Sequence, residues 1–129
     1  MLRFLALTLI LAGATVASAQ MPTRTLVKLD PALDELIATD AKIEVLAGGF
    51  KWAEGPVWDK KAYAILFTDI PNSRIHKIDR AGKVTVFAEN TAKTNGLMFG
   101  PDGRLYGCRN GERKIVAYDP DGTDRKSVV

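Results

Sequence analysis

The 129-residue sequence holds one cysteine, Cys108, and one histidine, His76. That scarcity excludes a disulfide framework and any site assembled from several Cys or His ligands. A Ser-His-Asp arrangement would have to rest on His76 alone. Charge of one sign is also scarce, since 18 basic residues face 15 acidic ones for a formal net charge of +3. There is no polybasic arm for nucleic acid. Apolar residues make up 47% and charged residues 26%, which excludes a disordered tail or a collagen-like chain. No apolar run reaches the roughly 20 residues that a membrane-spanning helix needs.

What is present begins with an address. Arg3 gives a positive start, Phe4 to Ala12 form a short apolar run, and Ala17-Ser18-Ala19 supply the small residues before a signal-peptidase cut. Residues 1–19 are therefore expected to be a signal peptide, and the mature protein to be exported, periplasmic or secreted, with no membrane contact after cleavage. Cleavage removes only Arg3 from the charge count, leaving 17 basic against 15 acidic residues. Cys108, in an apolar stretch, is expected to be a buried, inert thiol.

Residues 20–42 are expected to be a linker with a short helix. Asp30 suits an N-cap and Pro31 the first helical position, and Asp34 and Glu35 lie near the positive end of the helix dipole. Leu33, Leu36 and Ile37 fall on one face, so about two turns are predicted. From residue 43 the pattern changes to short β-type runs, namely 43–46, 55–58, 64–68, 74–78, 84–88, 96–99, 104–108 and 114–118. Turn sequences separate them, including Pro71-Asn72-Ser73, Pro101-Asp102-Gly103 and Pro120-Asp121-Gly122. The chain reads as an all-β antiparallel meander.

A repeat lies inside it. EGPVWD at 54–59 overlays NGLMFG at 95–100, displaced by 41 residues. LFTD at 66–69 overlays LYGC at 105–108, displaced by 39, and RIHKIDRAG at 74–82 overlays KIVAYDPDG at 114–122, displaced by 40. A period near 40 with about four strands per unit describes a β-propeller blade. Residues 43–123 hold about two such blades, where a closed propeller takes roughly 4–8. The chain is thus expected to be the front of a longer protein. Residues 124–129, DRKSVV, are what a common sequencing adapter would encode in one frame. They are expected to be either a non-native tail or an ordinary basic strand.

The innermost strand of each blade lines a propeller's channel, and Glu54 and Asn95 begin that strand in the two repeats. Oxygen ligands from successive blades suit a hard divalent cation such as calcium. Gly55 and Gly96 follow them, where a side chain could crowd the neighbouring backbone, and Pro56 stiffens the first entry. As alternatives, Glu54 would be a solvated turn carboxylate and Asn95 a turn cap.

The stretches GFKWAEGPVWD (49–59), LFTDIPNSRIHKID (66–79) and TNGLMFGPDGRLYGC (94–108) resemble the gluconolactonase family, which also includes senescence marker protein, luciferin-regenerating enzyme and, more distantly, squid-type organophosphate hydrolases. Residues 30–50 resemble the lead-in of exported bacterial members. The resemblance implies a six-bladed propeller with one divalent metal at the channel mouth, calcium first and zinc, magnesium or manganese as alternatives. It makes Glu54 a metal ligand and Asn95 a substrate- or metal-contacting residue. It gives Asp69 a structural role as a strand-end acceptor, and Trp52, Trp58 and Phe67 packing roles. The implied chemistry is hydrolysis of a small-molecule sugar lactone, with the metal polarising the ring carbonyl. The general base and remaining ligands are expected beyond residue 129, so the fragment alone is expected to be inactive. A different class stays open: an exported propeller that binds a protein or glycan and catalyses nothing. His76 is expected to be an exposed or edge residue. Nothing in the sequence specifies an oligomeric state.

Overall fold

The computed structural model describes residues 26–125. The expected signal peptide and residues 126–129 lie outside them. Two compact units divide the chain, residues 1–44 and 45–129. In the first, Asp30 caps a helix as expected, its carboxylate accepting from the Ala32 N–H at 2.8 Å, with Pro31 in the first turn. The helix is a five-residue 3-10 segment, Pro31–Glu35, rather than two α-turns. A short run containing β-branched Ile37 and Thr39 has too little intrinsic helicity to extend further. No helix among the described residues is long and apolar enough to cross a membrane.

The second unit is all β. Strands β1 (Ala53–Asp59), β2 (Ala64–Asp69), β3 (Arg74–Ile78) and β4 (Val84–Ala88) form one four-stranded sheet in chain order. Strands β5 (Thr94–Phe99), β6 (Leu105–Arg109), β7 (Lys114–Tyr118) and β8 (Asp124–Arg125) form a second sheet of the same plan. All neighbours are antiparallel. Short turns suffice for antiparallel neighbours, and the Pro/Asn/Asp/Gly clusters supply them. Residues 43–46, expected to be a strand, are irregular, and Ile43, Val45 and Leu46 are about half exposed. An extended segment becomes a strand only when a neighbour takes its backbone hydrogen bonds, and none does so among the described residues.

The two sheets pack face to face. Leu66, Ile75 and Ala88 of the first meet Leu105, Val116 and Tyr118 of the second, with Val57, Phe87, Leu97 and Phe99 packed around them. Strand alternation explains this set. In the registers Val57↔Leu66 and Thr68↔Ile75, alternate residues of the first sheet share the face turned toward the second. Three expectations are corrected, two of them, Trp58 and Cys108, by the same alternation. Trp58 falls on the opposite face and is 47% exposed, against the edge of the Tyr63 ring. Trp52, just before β1, is 59% exposed. Cys108 is exposed because the buried positions of β6 are Leu105, Gly107 and Arg109, and Cys108 lies between the last two. Phe67 is buried, as expected.

Registers also adjust the repeat. Ala53 pairs with Asp69 and Asp69 with Arg74 in the first sheet; Thr94 pairs with Arg109 and Arg109 with Lys114 in the second. Asp69 and Arg109 are therefore equivalent, so β2 and β6 are displaced by 40 residues rather than 39. His76 becomes equivalent to buried Val116. It is accordingly not an exposed or edge residue: β3 is an interior strand, and His76 is buried against Phe67 and Phe50, with ring centroids 5.4 and 5.0 Å away. Neither ring nitrogen has a hydrogen-bond partner among the described residues, and burial pushes the imidazole pKa down.

Candidate functional site

Both inner strands are irregular at the same repeat position. The β1–β2 register shifts between Glu54 and Val57, and the β5–β6 register shifts between Thr94 and Leu97. Such bulges bend a strand and re-aim a side chain. In β1 the bulge contains Gly55 at φ +54, a left-handed conformation that favours glycine. It also contains Pro56, which has no N–H to donate and is tolerated because β1 is an edge strand. The two bulges touch. A Cβ added to Gly55 would lie 2.6 Å from the Asn95 carbonyl oxygen and 3.0 Å from the Gly96 Cα. The crowding expected at Gly55 is present. At Gly96 it is absent, because a Cβ there would meet only the Cys108 Sγ, at 4.0 Å.

Glu54 and Asn95 thus sit on adjoining backbone, each exposed. The Glu54 Oε1 accepts from the Trp52 indole N–H at 3.2 Å. Asn95 borders an open groove with Cys108, Arg109, Asn110 and Arg113.

Beneath Glu54 the structure is buried and polar. Thr68 is fully buried, and its hydroxyl donates to the Glu54 carbonyl at 3.1 Å. Asp69 is 2% exposed and accepts from the backbone N–H groups of Trp52 (3.2 Å) and Lys51 (3.3 Å) and from the Asn72 side-chain amide (2.7 Å). Burial pushes the Asp69 pKa up, but these bonds to the ionised form together outweigh it and leave the pKa lowered. Asp69 is the strand-end acceptor expected of it. In the second sheet the equivalent place holds Arg109, 8% exposed, on Asp124 at 2.6 Å and on the Tyr118 hydroxyl at 3.4 Å. The Tyr118 hydroxyl also lies 3.0 Å from the Thr94 hydroxyl. The Thr68 and Trp52 contacts to Glu54 were not read from the sequence. The i, i+2 spacing of Trp52 and Glu54 at the head of a strand was the available signal, because such residues share a face.

A calcium-type ion takes six to eight oxygen ligands. The described residues contain no group of three or more His, Cys, Asp or Glu side chains able to hold a metal ion. Glu54 offers a carboxylate of suitable chemistry, but these residues do not by themselves complete a site.

Two four-stranded meanders, packed face to face and bulged alike on their inner strands, are successive blades of a β-propeller. Residues 52–129 match the family model of the SMP-30/gluconolactonase/LRE-like region, and the chain belongs to that family. It is 31% identical over 115 residues to a gluconolactonase of Zymomonas mobilis subsp. mobilis, an overlap of 79% of this chain and 32% of that protein. The structure of a gluconolactonase from Xanthomonas campestris is similar at a TM-score of 0.71 and 30% identity, over 78% of this chain and 33% of that one. A second gluconolactonase-family structure gives a TM-score of 0.71 at 27% identity, over 78% and 35%. A streptogramin B lyase, at a TM-score of 0.50 and 22% identity over 57% and 25%, shares the fold alone. The chain spans about a third of the length of these gluconolactonases.

Proposed function

We propose that this chain is the leading part of an exported, metal-dependent hydrolase of sugar lactones. Membership of the gluconolactonase family supports the reaction class, and the observation that carries the site is the bulge at Glu54. There an exposed carboxylate stands on backbone fixed by buried Thr68 and by the neighbouring inner strand. Glu54 is a ligand of one divalent cation, calcium first and zinc, magnesium or manganese as alternatives, and Asn95 contacts the substrate from the adjoining blade. The general base and the other ligands come from residues outside this chain, and the 129-residue fragment alone is inactive. The substrate class is a small aldonolactone.

The test is to express the complete reading frame, strip and restore divalent metal, and follow acid release from an aldonolactone. Turnover that disappears with the metal and returns with it is expected. Metal-independent turnover would refute the cofactor assignment, and absence of any lactone hydrolysis would refute the reaction.

A further inference from the structure

Glu54 is exposed, and an exposed carboxylate on a flexible side chain is ordinarily free to swing through several rotamers. Here two contacts act against that freedom, and each begins at a residue that is itself anchored. Thr68 holds the Glu54 main chain from below, through its hydroxyl and the Glu54 carbonyl. The Trp52 indole N–H holds the Glu54 carboxylate from the side. Trp52 is in turn fixed at both its backbone groups. Its N–H donates to the Asp69 Oδ1, and its carbonyl accepts from the Ile70 N–H at 3.2 Å. Asp69 is itself tied to Asn72 through its other oxygen, at 2.7 Å. A buried carboxylate with charge-assisted bonds to backbone N–H groups holds its partners more tightly than a neutral acceptor would.

The geometry points to Thr68 and Asp69 as positioning residues for Glu54, with Trp52 as the link. Asp69 fixes Trp52, the Trp52 indole fixes the carboxylate, and Thr68 fixes the backbone that carries it. The inference rests on the proposed role of Glu54 for its meaning in catalysis. The contacts themselves can be tested without any lactone or metal. They also separate Thr68-Asp69 from a generic strand end. In the second sheet, Arg109 stands at the position equivalent to Asp69 and Cys108 at that of Thr68, so among the described residues no hydroxyl and carboxylate pair of this kind stands beneath Asn95.

The experiment uses the full chain, uniformly labelled with nitrogen-15, and reads the indole N–H signals of Trp52 and Trp58 by NMR. Glu54→Gln removes the charged acceptor. It is expected to move the Trp52 indole signal by several tenths of a ppm in the proton dimension and to leave the Trp58 signal in place. Asp69→Asn and Thr68→Val are each expected to reduce that response to Glu54→Gln at least twofold, and Thr68→Ser to restore it. Amide signals of Val116 and Tyr118 in the sheet core report whether each variant is folded. If Asp69→Asn unfolds the chain, the Thr68→Val and Thr68→Ser pair carries the test. A Trp52 indole signal indifferent to Glu54→Gln would overturn the proposal, as would a full response retained in folded Thr68→Val. Failure of the complete protein to hydrolyse lactones would instead remove the proposed function and leave these couplings standing.

Discussion

Replacing Gly55 by alanine tests the contact between the two inner strands, and two other glycines dissect its causes. At φ +54 an L-residue pays about 1–2 kcal/mol of backbone strain. The added methyl would also sit 2.6 Å from the Asn95 carbonyl oxygen, a backbone atom that cannot swing aside. Overpacking of this kind costs about 1–3 kcal/mol, so Gly55→Ala should destabilise the chain by about 3 kcal/mol. Gly49 has φ +88 but nothing within 4 Å of its added Cβ, so Gly49→Ala should show only the strain, about 1 kcal/mol. Gly96 has neither left-handed backbone nor crowding, so Gly96→Ala should fall within about 0.5 kcal/mol of the parent. Urea unfolding followed by circular dichroism reads all three. With a slope of about 1 kcal/mol per molar urea, the Gly55→Ala midpoint should fall by about 3 M, or the variant should be unfolded without urea. A Gly55→Ala midpoint within about 0.5 M of the parent would refute the packing of β1 on β5, as would equal losses at Gly55 and Gly96.

Further outcomes follow from the buried polar groups. His76 is held below its usual pKa by burial, so the unfolded chain binds the proton more readily; stability should decline as pH falls below about 6.5. His76→Val, which copies the equivalent residue Val116, should flatten that part of a stability-against-pH curve, and an unchanged slope would contradict the assignment. Asp69→Ala leaves the N–H groups of Lys51 and Trp52 without their acceptor and should cost about 2–3 kcal/mol in the same urea assay. Because the Asp69 pKa is lowered, its contribution is full above the ordinary carboxylate range and should be lost as pH falls below about 4. Tyr118→Phe removes one hydroxyl shared with Thr94 and Arg109 and should cost about 1 kcal/mol. The exposed Cys108 thiol should react with a thiol reagent without denaturant; a requirement for denaturant would show it buried after all.

The strands of the second unit were legible because alternating apolar residues and Pro/Asn/Asp/Gly turns recur at the same spacing twice. Residues 43–46 carry the same alternation, but strand formation there depends on a partner strand that local sequence does not specify. His76 was misjudged because a lone polar residue in a strand suggests an edge, whereas its repeat partner Val116 already marked the position as core. Trp58 and Cys108 were misjudged on residue type, which says nothing about which face of a sheet a position occupies, and Trp52 lies just before β1, outside the sheet. The displacement of 39 rather than 40 for β2 against β6 follows from matching Leu66 to Leu105; backbone pairing, which makes Asp69 equivalent to Arg109, is invisible in that comparison. Gly55 was readable because its position leaves no room for a side chain, whereas the strand-end role of Asp69 came with the family resemblance. Of the supports of Glu54, the Trp52 contact had a signal in the i, i+2 spacing, whereas the Thr68 contact depends on the β1–β2 register, which local sequence does not specify.

The most direct test is acid release from an aldonolactone by the complete protein carrying Glu54→Gln, beside the parent and a Trp58→Phe control. The exposed carboxylate on the β1 bulge predicts a fall of at least a hundredfold in kcat/KM for Glu54→Gln and near-parent turnover for the control. Full activity in folded Glu54→Gln would contradict the account.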